Sequence, residues 1–137
     1  MAGDNSFTKQ ERLSGKKLMD ELFRDGESFT VYPFRVVYMV ADQLTEGSPA
    51  RVGISVPKKR IKTAVERNLI KRRIREAYRL NKGKLYDTLI NEKKTLIFML
   101  LYLHGAKKGY AEVEEKINLI LGRLSRALSE EKQNEKT

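Results

Sequence analysis

The chain contains no cysteine and a single histidine among its 137 residues. The first absence excludes a disulfide scaffold, a cysteine-type zinc finger and a thiol nucleophile. It is compatible with a reducing compartment. The lone histidine, His104, follows an apolar segment and reads as a strand-end surface residue rather than a general base. Acidic residues are dispersed, with their densest run at Glu130, Glu131 and Glu135, and no His/Asp/Glu cluster has metal-ligand spacing. No G-x-x-x-x-G-K-[ST] phosphate loop occurs. The longest apolar run, Leu96 to Leu103, is eight residues, and a membrane span needs about 20. The first fifteen residues are polar and lack the apolar centre of a signal peptide. A soluble, cytoplasmic protein without a membrane partner is the expectation.

Positive charge is abundant. The 28 Lys and Arg residues exceed the 18 Asp and Glu residues, for a formal net charge of +10. Ten basic residues fall between Lys58 and Arg79, against two acids, Glu66 and Glu76. That window therefore carries +8, and the other 115 residues share +2. A solvated surface does not require such clustering. A polyanion-binding footprint does.

The hydrophobic pattern predicts one small α+β domain over residues 1–128, with 1–11 loose and 129–137 a polar, frayed tail. Leu18, Met19, Leu22 and Phe23 share one helical face, with Ser14 as a possible cap and Gly26 as the stop. Residues 33–40 and 51–56 read as strands, expected to pair antiparallel across the loop from Asp42 to Pro49. Thr63 to Leu80 reads as a long helix, with Thr63 and Glu66 in capping-box spacing. A shorter helix is expected at 84–91. Thr95 to Leu103 is nearly continuously apolar, as in a strand covered on both faces. From Tyr110 to Leu128, Val113, Ile117, Ile120, Leu121, Leu124 and Leu128 recur at helical spacing. The order is αββααβα, a small, mostly antiparallel sheet with helices packed on it. Between parallel neighbours, the connection from strand 51–56 to strand 95–103 is right-handed by the general rule.

Advancing about 100° per residue along the long helix gathers Arg67, Asn68, Lys71, Arg72, Arg75 and Arg79 into an arc of about 140°. Ile70, Ile74, Ala77 and Tyr78 fall on the neighbouring arc. Like charges at i, i+4 and i+8 repel by a few tenths of a kcal/mol per pair. Phosphates would turn that repulsion into attraction. Lys58, Lys59, Arg60 and Lys62 extend the same cluster upstream. A mixed-sign charged face is usually only solvated, but this one is of a single sign. Asn68 fits either a surface amide or a donor to a sugar or phosphate oxygen.

The stretch RVGISVPKKRIKTAVERNLIKRRIREAYR resembles the signature region of the protein subunit of bacterial ribonuclease P. That signature runs V-G-x-x-V, K-K, then A-V-x-R-N-R-x-K-R-x-x-R-E. It is met at Val52, Gly53, Val56, Lys58, Lys59, Ala64, Val65, Arg67, Asn68, Lys71, Arg72, Arg75 and Glu76. An upstream pattern fits Arg12, Leu13, Leu22, Phe23 and Gly26, and the resemblance extends over residues 12–128. Two positions depart from it. Leu69 replaces the second arginine of R-N-R, with Arg73 expected to supply the missing charge one turn later. Met19 replaces an aromatic of the first helix.

The resemblance implies a left-handed βαβ crossover of the ribosomal protein S5 domain 2-like kind, overriding the right-handed default. It implies an accessory subunit that joins a catalytic RNA and assists removal of the 5′ leader from precursor tRNA. The subunit would not be catalytic alone, and Mg²⁺ would be held mainly by the RNA. The basic helix and its flank would contact the catalytic RNA. A cleft between the first helix and the sheet would hold the leader, with Arg12, Met19, Phe23, Phe34, Tyr38 and Ser55 as candidates by position. Ordinary core packing remains open for the three aromatic residues. The main alternative is a structural RNA-binding protein, such as a ribosomal one, which needs no leader cleft. A DNA-binding module is not expected, because neither a helix-turn-helix nor a zipper is visible.

Overall fold

The computed structural model describes residues 7, 9–13, 15–41 and 47–136, with side chains considered through residue 129. A 3-10 turn, Lys9–Glu11, precedes α1, Lys16–Asp25. Three strands follow: β1, Glu27–Val31; β2, Phe34–Ala41; and β3, Ala50–Ser55. Then come α2, Ala64–Asn81; α3, Gly83–Glu92; β4, Thr95–Tyr102; and α4, Tyr110–Lys136. Together they form a small α+β domain around one four-stranded sheet.

The sheet order is β1-β2-β4-β3. β1 pairs antiparallel with β2, β2 antiparallel with β4, and β3 parallel with β4. The expected pairing of residues 33–40 with 51–56 does not occur, because β4 lies between them. Burial explains the insertion. β4 carries apolar side chains on both faces and is covered on both, so an interior position suits it better than an edge. β1 was not anticipated. Its sequence, ESFTV, is short and mostly exposed, and it forms as a hairpin arm across the cis Tyr32–Pro33 turn.

α2 begins as its cap predicts: the Thr63 hydroxyl accepts from the Glu66 amide at 3.2 Å. α4 continues through Lys136, past the expected tail boundary at residue 128. The Ser14 cap and residues 42–46 of the expected loop lie outside the described residues. Gly15 occupies the N-cap position of α1.

The sheet separates two apolar clusters. On one face Phe34, Val36, Val52, Leu96, Phe98, Leu100 and Tyr102 meet Ile70, Ile74, Ala77 and Tyr78 of α2 and the buried stripe of α4. That stripe is the set anticipated from periodicity. Fully burying one such side chain is worth about 1.5–3 kcal/mol. On the other face Leu13, Leu22, Val37 and Met99 form a smaller cluster beneath α1.

The segment before α1 is tied to both sides. Leu13 donates its amide to the Val52 carbonyl at 3.0 Å and packs beneath α1. Two residues earlier, the buried Glu11 carboxylate accepts from the Lys82 ammonium and the Tyr86 hydroxyl, at the α2–α3 junction.

Candidate nucleic-acid interface

α2 exposes its cations because its apolar arc is fully used. Ile70, Ile74, Ala77 and Tyr78 are buried, which turns Asn68, Arg72 and Arg75 outward. Arg67, Lys71 and Arg79 are half-buried along the borders of that strip. Arg79 bonds Glu76 through two guanidinium nitrogens. Those bonds hold the Glu76 carboxyl below its ordinary range and push the Arg79 guanidinium up. Arg67 has a structural duty. Its Nη1 donates to the carbonyls of Ile61 and Lys62, both at 2.9 Å.

The connection before α2 is a compact turn. The amides of Arg60 and Ile61 both donate to the Pro57 carbonyl at 3.1 Å. Ile61 is buried and anchors the turn, while Lys58, Lys59, Arg60 and Lys62 stay exposed. The predicted cations therefore occupy one strip and the turn that leads into it.

Arg73, expected to supply the charge missing at position 69, is engaged within the chain. Its Nη1 donates to the Lys108 carbonyl, and its side chain is half-buried. It lies about 40° from Leu69 around the helix, on the side nearer the buried arc.

The second candidate surface lies on the α1 face of the sheet. Paired residues of neighbouring strands share a face, so three rows cross β2, β4 and β3 in that order. They are Arg35–Leu101–Ser55, Val37–Met99–Gly53 and Met39–Ile97–Arg51. The middle row lies beneath Leu13 and Leu22, and its glycine allows close approach. A Cβ at Gly53 would stand 2.4 Å from the Met99 sulfur and 3.3 Å from Leu13. Met19 is half-buried in this cluster, and the α1 residue Phe23 is 51% exposed. Ser55 is half-buried in an outer row.

Phe34, Tyr38 and Arg12 are not on this face. Phe34 is fully buried on the α2–α4 side, edge-on to Tyr102 with ring centroids 5.6 Å apart. Tyr38 shares that side, packs edge-on to Phe29 and donates its hydroxyl to Glu27 at 2.8 Å. The Arg12 guanidinium lies 5.5 Å from the Phe7 ring centroid, and Phe7 leans on Tyr78 of α2. Strand alternation is the reason: positions 34, 36 and 38 face one way and 35, 37 and 39 the other. β2 is apolar on both faces, so its composition does not reveal which set α1 covers. The same rule identifies two cations that the candidate set omitted, Arg35 and Arg51. The alternation of Arg51, Gly53 and Ser55 was the available signal.

No three His, Cys, Asp or Glu side chains stand close enough to hold a metal ion among the described residues.

The chain as a whole is similar in sequence and fold to known proteins. The family model described as Ribonuclease P matches residues 7–125. The chain belongs to the ribonuclease P protein family. A relative from Streptococcus pneumoniae, a ribonuclease P protein component, is 35% identical over 129 residues, spanning 93% of this chain and 94% of the relative. Another, from Porphyromonas gingivalis, is 41% identical over 97 residues, spanning 69% and 70%. The ribonuclease P protein of Thermotoga maritima superposes with a TM-score of 0.61 at 25% identity, covering 82% of this chain and 96% of that one. Family membership agrees with the resemblance carried by the stretch from Arg51 to Arg79. No helix among the described residues is long and apolar enough to cross a membrane.

Proposed function

We propose that this chain is the protein subunit of a ribonuclease P ribonucleoprotein and acts on precursor tRNA together with a catalytic RNA. The observation that carries this reading is the outward strip of Asn68, Arg72 and Arg75, continued by Lys58, Lys59, Arg60 and Lys62, in a member of this family. Cations spaced along a helix neutralise successive phosphates and release their counterions, which makes the affinity depend on salt. Arg67, Lys71 and Arg79 reinforce the borders of the strip. The α1 face of the sheet takes the single-stranded 5′ leader. Phe23, Met19 and Ser55 offer contact surface, and Arg35 and Arg51 offer charge at its two open rows. Stacking and backbone attraction tolerate many sequences, which suits a variable leader.

Phosphodiester hydrolysis needs ions that stabilise the attacking and leaving oxygens. In this reading the RNA holds the Mg²⁺, and the protein lowers phosphate repulsion and positions substrate.

Reconstitution with the cognate catalytic RNA tests the proposal. At low Mg²⁺ the protein is expected to accelerate leader cleavage and to favour precursor over mature tRNA. Arg72→Ala and Arg75→Ala should each weaken RNA binding and lower its salt slope by about one unit or less. Equal affinity for precursor and mature tRNA, with RNA binding intact, would favour a purely structural RNA-binding role.

A further inference from the structure

Three connections lie side by side at one end of the sheet. The strand order places the β1–β2 turn, the loop after β4 and the turn after β3 in a row. Phe34 pairs with Tyr102 where β2 begins and β4 ends, and Ser55 pairs with Leu101 where β3 ends. One further backbone bond, from the Leu103 amide to the Pro33 carbonyl at 2.7 Å, closes the first two connections together.

Tyr32 stands in this row and is 56% exposed. Its hydroxyl and His104 Nδ1 share a hydrogen bond of 2.7 Å, and the two rings lie nearly perpendicular with centroids 5.8 Å apart. His104 in turn lies edge-on to the buried Tyr102. The exposed phenol is thus braced from behind. The neighbouring loop is fixed as well. The Tyr102 hydroxyl donates to the Ala106 carbonyl at 2.6 Å, and Arg73 holds Lys108.

This loop adjoins the basic turn before α2. A Cβ built at Gly105 would stand 4.0 Å from the Arg60 carbonyl oxygen. Lys107 on one loop and Lys58, Lys59 and Arg60 on the other are all exposed. An aromatic ring held in place, half open to solvent and at one end of a row whose other two loops both carry positive charge, combines the two elements of single-strand recognition: a stacking surface and cations for the backbone.

We infer that Tyr32, braced by His104, stacks on an unpaired base of the RNA partner, with Lys107 and the Lys58–Arg60 turn on the flanking phosphates. This rests on the proposed RNA-binding role and extends the contact surface across the sheet end, beyond the α2 strip.

The experiment measures the affinity of the full chain for the cognate catalytic RNA alone. It then measures the affinity of the reconstituted complex for precursor tRNA with and without a leader. Tyr32→Phe, which loses the hydrogen bond to His104 but keeps the ring and its edge-on contact, is expected to bind within about twofold of the unsubstituted protein. Tyr32→Leu, which keeps apolar bulk but no ring, should bind about tenfold more weakly in one arm, consistent with the loss of one stacked base. The arm affected identifies whether the base belongs to the catalytic RNA or to the leader. Lys107→Ala should lower the salt slope in the same arm. It provides a check that does not depend on the turn folding around a substituted Tyr32. Unchanged binding by Tyr32→Leu and Lys107→Ala, with Arg72→Ala still impaired, overturns the stacking site and leaves the RNA-binding role standing. Unchanged binding by all three overturns both.

Discussion

Arg67 and Arg72 are five residues apart on one helix and serve different ends. Arg72 projects from the strip into solvent, whereas Arg67 closes the Lys58–Lys62 turn against the first turns of α2. The two roles separate by measurement. Arg72→Ala should leave thermal stability unchanged and act only on RNA affinity. Arg67→Ala removes two hydrogen bonds from a charged donor and should cost about 2 kcal/mol of folding stability. Urea denaturation reads the second effect directly. Equal stabilities for the two variants would show that the turn holds without its clamp. The sequence could not distinguish them, because helical angle alone puts both in the cationic arc. Only the path of the preceding turn shows that Arg67 folds back on it.

At the scale of elements, the seam between α1 and β2 is set by Gly26. Its φ of −78° is open to any residue, so conformational freedom is not the reason for glycine there. Space is the reason. A Cβ would stand 2.4 Å from the Leu22 carbonyl oxygen and 2.9 Å from that of Tyr38. Both obstacles are backbone and cannot swing aside. Gly26→Ala should therefore destabilise the domain by about 1–3 kcal/mol and displace α1 from the sheet. Calorimetry would show the loss, and the proposed leader contacts should weaken more than those with the catalytic RNA. A fully stable variant with normal leader affinity would contradict this account of the seam. The glycine was legible as a helix stop, and so were the extents of α1, α2, α3, β4 and the buried stripe of α4. Strand order was not legible. β2, β3 and β4 are all rich in apolar residues, and pairing depends on which strand has both faces covered by helices that lie far away in the chain. The same gap misplaced Phe34 and Tyr38, whose types suited a stacking cleft but whose parity put them in the main core.

For the molecule as a whole, buried phenols set an alkaline limit. Burial pushes the hydroxyls of Tyr78 and Tyr86 up, and that of Tyr102 to about 12, from an ordinary value of 10.0. Above pH 10 the unfolded chain releases these protons while the folded chain retains them. The unfolded state then binds fewer protons, so stability falls as pH rises. The contribution is complete below pH 10 and, for Tyr102, is lost as pH passes through about 12. Melting temperatures measured from pH 8 to 12 should fall more steeply above pH 10 for the unsubstituted protein than for Tyr102→Phe. Parallel curves would mean that this phenol ionises without opposing the fold.

The position of β4 between β2 and β3 has a consequence for biosynthesis. β4 spans residues 95–102, so translation is well past the basic helix before the central strand exists. A nascent chain that ends at residue 94 holds two strands whose inner edges have no partner. Its cationic segment is already synthesised and lies inside or beside a ribosome that is itself polyanionic. Sheet closure is therefore a late, post-helix event, and chains stalled before β4 emerges are the form of this protein most exposed to edge-to-edge aggregation.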